Sequence, residues 1–105
     1  MTQFHHVGVP LGAAPTDSVL VAEAGVRVTN PDNHPFRFEF CCAEAGSPLP
    51  EVVKRLPHVA YMVDDLAAAV EGEEVIYGPQ AVMDGALTIA FVLRDGVPVE
   101  LMQMA

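Results

Sequence analysis

The chain has 105 residues, of which 51% are hydrophobic and 18% are charged, and its formal net charge is −9. This length and composition predict a single globular domain over residues 1–105 and exclude a disordered chain. The acidic balance argues against binding to nucleic acid or to an anionic membrane, and no apolar run is long enough to span a bilayer. The adjacent cysteines Cys41 and Cys42 indicate no disulfide framework, which favours a cytoplasmic location.

The first half of the chain predicts strands joined by turns rich in Gly and Pro. Alternation in its last strand places Phe36, Phe38 and Phe40 on one face, and Arg37 and Glu39 on the other. The expected elements are a strand over residues 4–9, a loop over 12–17, extended segments over 18–22 and 25–29, a turn over 30–35 and a strand over 36–42.

The second half predicts a β-α-β-β-β order after an irregular link over residues 43–57, in which 50–56 form one helical turn. Asp65 is placed to cap a helix, and Asp95-Gly96 between two apolar runs is typical of a hairpin turn. The expected elements are a strand over 58–63, a helix over 66–71, a strand over 74–76, a loop through Gly78-Pro79, a strand over 87–93 and a strand over 98–102.

Two short patterns occur twice and in the same order. FHHVGVP at the start of the chain matches PHVAYMV at residues 57–63, so that His6 corresponds to His58. FRFEFCC at 36–42 matches VPVELMQ at 97–103, so that Glu39 corresponds to Glu100. Strand alternation turns His5 away from His6 and to the opposite face.

Imidazole nitrogens and carboxylate oxygens are suitable ligands for Zn²⁺, Ni²⁺, Co²⁺, Mn²⁺ or Fe²⁺. The ordinary alternatives are a structural ion pair between a glutamate and Arg37 or Arg94, or a glutamate that points to water on the solvated face of the sheet.

The segments FHHVGVP, FRFEFCC, PHVAYMVDDL and VPVELMQ resemble the vicinal oxygen chelate superfamily, which includes glyoxalase I, methylmalonyl-CoA epimerase, extradiol dioxygenases and bleomycin-resistance proteins. The resemblance implies an α+β fold in which two βαβββ modules form an open, U-shaped mixed sheet. Module 1 would span about residues 3–45 and module 2 about 55–105. Because the first half is shorter, we expect the helix of module 1 to be shortened or missing, with a loop around residues 13–18.

The resemblance also implies a divalent metal held by His6, Glu39, His58 and Glu100. Such an ion chelates neighbouring substrate oxygens and stabilises an enolate. Glu100 would be the general base, with Glu39 as a ligand or as its partner, and Arg37 and Arg94 would be anion contacts for the substrate.

The function implied is a small metal-dependent lyase or isomerase of the glyoxalase or epimerase type, acting on an oxygen-rich small molecule. The alternative is a metal-free binding or resistance module with the same fold. A dioxygenase is third, because that branch uses two His and one Glu, which leaves Glu39 surplus. The exposed edges of such a sheet, together with Phe36, Phe38 and Phe40, predict a homodimer.

Overall fold

The computed structural model describes residues 2–105, which form eight strands and two short helices. Neither helix in this range is long and apolar enough to cross a membrane. A 3-10 turn covers Pro31–Asn33. The strands and helices are β1 (Thr2–Pro10), β2 (Val19–Val21), β3 (Val26–Val28), β4 (Phe38–Ala43), α1 (Glu51–Arg55), β5 (His58–Val63), α2 (Leu66–Ala69), β6 (Glu74–Val82), β7 (Leu87–Arg94) and β8 (Val97–Met104).

All eight strands belong to one curled sheet with the order β2-β3-β4-β1-β5-β8-β7-β6. The first four strands of this order come from module 1 and the last four from module 2. The modules meet at the antiparallel pair β1–β5, whereas β4 runs parallel to β1 and β8 runs parallel to β5. The two halves are therefore related by a pseudo-twofold arrangement within one chain, which confirms the predicted α+β fold with a mixed, open sheet.

The helix predicted to be missing from module 1 is absent from the described chain, since residues 11–18 form only turns. In module 2 the Asp65 side chain accepts a hydrogen bond from the backbone N–H of Ala68 at 3.2 Å, which caps α2 as predicted. Leu66 of α2 then packs into an apolar cluster on the outer face of the sheet, with Val63, Ala90, Val92 and Leu101.

The turns follow the sequence signals in some places and depart from them in others. Asp95 and Gly96 both have positive φ and connect β7 to β8, as the Asp-Gly pair predicts. The loop predicted at Gly78-Pro79 is wrong, because β6 continues through this pair with shifted registers against β7. β6 is an edge strand and has no neighbouring strand on the side away from β7. Pro79, which lacks a backbone N–H, therefore interrupts no hydrogen bonds on that side.

The strand β4 begins at Phe38, two residues later than predicted. Arg37 adopts a φ of 58° and its backbone N–H bonds to the carbonyl oxygen of His34 at 3.0 Å, so the chain turns here before it becomes extended. The prediction that Arg37 shares a strand face with Glu39 is wrong for this reason. Phe36 likewise lies outside the strand, and 73% of its surface is exposed.

The inner face of the curled sheet carries the larger apolar cluster, and α1 packs onto it. Glu23, in the turn between β2 and β3, connects the two ends of the sheet. Its carboxylate accepts hydrogen bonds from the backbone N–H groups of Met83 at 3.3 Å and Asp84 at 3.2 Å, in the turn between β6 and β7. The inner cluster consists of Ala24, Val26, Leu49, Val53, Ala60, Val82, Ile89, Phe91 and Met102.

Candidate metal centre

His6 and Glu100 lie in one row across the middle of the sheet, with Ala60 between them. His6 pairs with Ala60 across β1 and β5, and Ala60 pairs with Glu100 across β5 and β8. Residues two strands apart have Cα atoms about 10 Å apart, so their side chains meet only above a small residue. Ala60 is fully buried and leaves this space to the imidazole and the carboxylate.

His58 and Glu39 lie in a second row across the sheet, with Gly8 between them, so that each row combines a histidine of one module with a glutamate of the other. His58 pairs with Gly8 across β5 and β1, and Gly8 pairs with Glu39 across β1 and β4. A Cβ atom on Gly8 would lie 2.0 Å from Cε1 and 2.4 Å from Nε2 of His58, well inside van der Waals contact. The small residue two places after each histidine in the repeated pattern is therefore the residue that accommodates the histidine of the other module.

The four predicted ligands come together on the inner face. Nε2 of His58 lies 3.2 Å from Oε1 of Glu100, and Nε2 of His6 lies 3.3 Å from the same oxygen. Nε2 of His6 is also 3.4 Å from Oε1 of Glu39. The ligand atoms of His6, His58 and Glu100 all lie within 4.8 Å of one another, which makes these three a compact group, with Glu39 beside His6.

Two buried ring nitrogens of this group lack an aligned hydrogen-bond partner among the described residues, namely Nε2 of His6 and Nδ1 of His58. His6 is 1% exposed, so water does not compensate its ring. A buried polar atom without a partner costs about 1–3 kcal/mol of folding free energy. Nε2 of His6 and Nε2 of His58 face the same oxygen of Glu100, and a divalent cation held among these three residues would satisfy the His6 nitrogen and the carboxylate. The residues therefore fit a divalent metal ion.

The carboxylates differ in their electrostatics. Burial raises the pKa of Glu100, but interactions with His58 and His6 outweigh burial and lower it to about 2. Burial raises the pKa of Glu39 to about 6, against the opposing charge of His6. For His6, burial lowers the pKa, but the contact with Glu100 and the charge of Glu39 leave it raised. Glu100 is thus ionised at all ordinary pH values, whereas Glu39 titrates close to neutrality.

His5 belongs to the site, contrary to the sequence prediction. The register between β1 and β5 shifts between Phe4 and His6, and this bulge turns the His5 ring to the inner face, where it lines a cavity together with His6 and His58. Nδ1 of His5 lies 2.8 Å from Nδ1 of His6. When Nδ1 of His6 donates this hydrogen bond, its Nε2 carries the free lone pair that a metal requires. Strand alternation gives no signal of a bulge, so this contact could not be found from the sequence.

The two arginines expected to contact a substrate anion do not line the cavity. The side chain of Arg37 donates from Nε to the carbonyl oxygen of His5 and pairs through Nη1 with Asp32 at 2.9 Å. It therefore supports the bulge at His5. Arg94 lies at the turn between β7 and β8 and pairs with Glu73 at 2.7 Å, with 64% of its side chain exposed.

The inner face encloses a cavity of about 580 Å³, and His6, Glu39, His58 and Glu100 all line it. The ring of Phe91 meets that of His58 edge-on, with centroids 5.0 Å apart, and thereby limits the movement of the imidazole. This volume is typical of a pocket for a small molecule. The geometry thus combines a group of metal-ligating side chains with room for an organic ligand beside it.

Two solved structures share this fold. A hypothetical protein, BH1468 from Bacillus halodurans C-125, superposes with a TM-score of 0.68 and 16% identity over 99% of this chain and 95% of its own. Methylmalonyl-CoA epimerase from Mycobacterium tuberculosis has a TM-score of 0.60 and 21% identity over 98% of this chain and 88% of its own. Neither the protein-family models nor the curated protein sequences give a match. At such identities the likeness establishes the fold alone.

Gly8→Ala should disrupt the centre without changing any donor atom. The added Cβ would meet the His58 ring at 2.0 Å, so the ring must rotate or the central strands must separate. We expect metal affinity to fall at least tenfold, on the scale of other losses of ligand orientation. Isothermal titration with Ni²⁺ measures this directly.

Gly12→Ala is the matched control, because a Cβ at Gly12 meets nothing within 4 Å. Parent-like Ni²⁺ affinity in Gly8→Ala would show that His58 does not depend on the space above residue 8.

Glu39→Gln should stabilise the metal-free protein at neutral pH. Because the pKa of Glu39 is raised from 4.5 to about 6 on folding, the folded chain binds this proton more tightly than the unfolded chain. Glu39 therefore lowers the free energy of unfolding as pH rises through this window, by up to about 2 kcal/mol above it. Denaturant unfolding in chelator should show Glu39→Gln to be the more stable protein above pH 6, with a gain that shrinks as pH falls from about 6 to 4.5 and is nearly absent below that.

Glu74→Gln, at an exposed position of β6, controls for the loss of one negative charge from an acidic surface. A Glu39→Gln protein that is equally destabilised at every pH would contradict the assigned environment of Glu39.

Proposed function

We propose that this chain is a small metal-dependent lyase or isomerase of the glyoxalase or epimerase type, within the vicinal oxygen chelate superfamily. The single observation that carries the proposal is the convergence of His6, His58 and Glu100 from two modules, with Nε2 of His6 buried and without an aligned hydrogen bond. The neighbouring cavity of about 580 Å³ gives room for a small substrate with two adjacent oxygens. The structural likeness to an epimerase supports this choice at the level of the fold.

His6, His58 and Glu100 are the proposed ligands, and three protein ligands would leave positions for substrate oxygens on the ion. A divalent ion held there would act as a Lewis acid on a carbonyl oxygen. Strands supply these ligands, so their directions are fixed by the sheet. His5 positions the His6 ring through the contact between their Nδ1 atoms at 2.8 Å.

Glu39 is our candidate for proton transfer, in place of Glu100, the residue that the family resemblance implies for this role. Glu100 lies within 3.3 Å of both histidine Nε2 atoms, so its oxygen is taken up in ligation. Glu39 contacts one histidine, faces the cavity and keeps 15% of its side chain exposed. Its carboxylate would accept a proton from the carbon beside the substrate carbonyl, while the electron pair moves to the carbonyl oxygen. Return of the proton completes an isomerisation without a net oxidation.

Metal binding should raise the melting temperature, because an ion that binds only the folded chain stabilises it by mass action. We expect a rise with Ni²⁺, Zn²⁺, Co²⁺ or Mn²⁺ at neutral pH. The rise should shrink below pH about 6, since protons then compete for the imidazole nitrogens. His58→Ala should abolish the response, Glu100→Gln should reduce it strongly, and Glu39→Gln should retain most of it. His5→Ala should weaken affinity by about 10- to 100-fold, as loss of an orienting partner does.

His34→Ala is the control, because the ring of His34 stacks on Phe38 at 4.6 Å and lies outside the lining of the cavity. Full retention of the metal response in His6→Ala or His58→Ala would contradict the proposed ligand set. No response of the parent to any of the four ions would favour the alternative, a metal-free binding module that uses the same cavity.

We also propose that two copies associate. The sheet ends in the edge strands β2 and β6, each of which has a neighbouring strand on one side only. Two large apolar side chains are also exposed, Phe36 at 73% and Val19 at 57%. Phe38 contributes less than the sequence suggested, because His34 covers one side of its ring. Sedimentation velocity should show a dimer that Phe36→Ser shifts toward monomer. A monomeric parent at high micromolar concentration would contradict the assembly.

A cytoplasmic location remains our proposal. Cys41 and Cys42 are both free thiols, which suits a reducing compartment. Burial raises the pKa of the Cys41 thiol well above its usual range, so it is protonated and unreactive at neutral pH. In the cavity wall this thiol is a weak hydrogen-bond donor to Oε1 of Glu39, with Sγ 3.6 Å from that oxygen.

A further inference from the structure

Most of the cavity wall beside the metal centre is apolar. Strands of both modules contribute to it, and several of these side chains also belong to the inner apolar cluster. A ligand that fills this space exchanges contact with water for contact with aliphatic side chains, which favours an apolar body. Representative wall residues are Val21, Val26, Val82, Ile89 and Met102.

Positive charge is almost absent from this wall. The sequence contains five Lys and Arg residues, and within residues 2–105 only Lys54 lines the cavity. Nζ of Lys54 already lies 3.7 Å from a carboxylate oxygen of Glu51. Asp17 adds a negative group to the same lining. Among the other cations, Arg27 donates to the carbonyl oxygen of Ser18, and Arg37 and Arg94 form ion pairs outside the cavity.

We propose that the substrate is a compact α-oxygenated carbonyl compound with an apolar body and at most one negative charge, without a phosphate or nucleotide group. This inference rests on the proposed function, since the metal centre would bind the oxygens. The apolar wall selects the body, and the scarcity of cations excludes a multiply charged group. Lys54 is the one side chain of the wall that would pair with a single carboxylate.

The net negative charge of the whole chain also disfavours a substrate that carries several negative charges. A carrier with several phosphates would approach a protein of net charge −9, whose cavity offers one partly neutralised ammonium group. Bidentate arginine pairs, which hold phosphate most strongly, are not available in the lining that the structure describes. The substrate class therefore differs from the coenzyme A thioester in the name of the related epimerase.

Three α-hydroxy ketones test the proposal on the parent protein: hydroxyacetone, α-hydroxyacetophenone and dihydroxyacetone phosphate. They share the oxygen pair and differ in having a methyl group, a phenyl ring or a phosphate. Calorimetry on protein with and without Ni²⁺ should show α-hydroxyacetophenone binding at least tenfold tighter than hydroxyacetone, from burial of the ring. Dihydroxyacetone phosphate should bind no more tightly than hydroxyacetone.

A matched pair of variants locates the binding. Val21 lines the cavity, whereas its neighbour Leu20 is 45% exposed and does not line it. Val21→Trp should fill part of the cavity and weaken α-hydroxyacetophenone binding at least tenfold, while the melting-temperature response to Ni²⁺ remains. Leu20→Trp should bind like the parent. Because the chain has no Trp, each variant also carries a single tryptophan, whose fluorescence reports on its own position.

The outcomes separate this proposal from the metal hypothesis. Dihydroxyacetone phosphate binding as tightly as α-hydroxyacetophenone would overturn the apolar substrate class even if Ni²⁺ binds. Unchanged α-hydroxyacetophenone affinity in a folded Val21→Trp protein would overturn it as well. A preference for α-hydroxyacetophenone in a protein that binds no metal would keep the ligand class and remove the metal-dependent function.

Discussion

The pairing of β1 with β5 is the constraint on which the rest of the structure depends. Its register places each module's histidine opposite a small residue of the other module, His6 against Ala60 and His58 against Gly8. Glutamates on the flanking strands then reach over these small residues toward the centre. A shift of one residue between these two strands would turn the histidine of one of them to the other face and separate it from the rest of the group. The repeated sequence pattern therefore encodes the same packing in both modules, in which the histidine of one module lies over a small residue of the other.

Part of the arrangement is unfavourable for folding when no cation is present, although the two histidines stabilise the ionised form of Glu100. Two carboxylates and two imidazoles share a buried space, one ring nitrogen of each imidazole lacks a partner, and the pKa of Glu39 is raised to about 6 by burial. Aliphatic side chains in these places would give a more stable sheet. Such destabilising groups, concentrated in one cavity, are typical of a functional site. Cation binding there would raise the free energy of unfolding again.

The features that could be predicted from the sequence are those that leave a periodic or repeated pattern of residue types. The duplicated His and Glu strands, the Asp95-Gly96 hairpin and the shortened first module all follow from spacing and composition, whereas the open sheet that they form was implied by the family resemblance. Backbone irregularities were missed, because a bulge or a left-handed residue leaves the alternation of residue types unchanged. The bulge at His5 and the positive φ of Arg37 are of this kind, and both reassign a side chain next to the centre. The Gly78-Pro79 pair predicted a loop where the strand in fact continues, because an edge strand tolerates both residues.

Metal content per chain tests the central claim most directly. Protein purified without chelator and then dialysed against a mixture of Mn²⁺, Co²⁺, Ni²⁺ and Zn²⁺ should retain one divalent ion per chain by elemental analysis. The same treatment should leave His58→Ala without metal and Gly12→Ala fully loaded. One ion per chain in both variants would place the metal elsewhere on this acidic surface, and a metal-free parent would contradict the account at its centre.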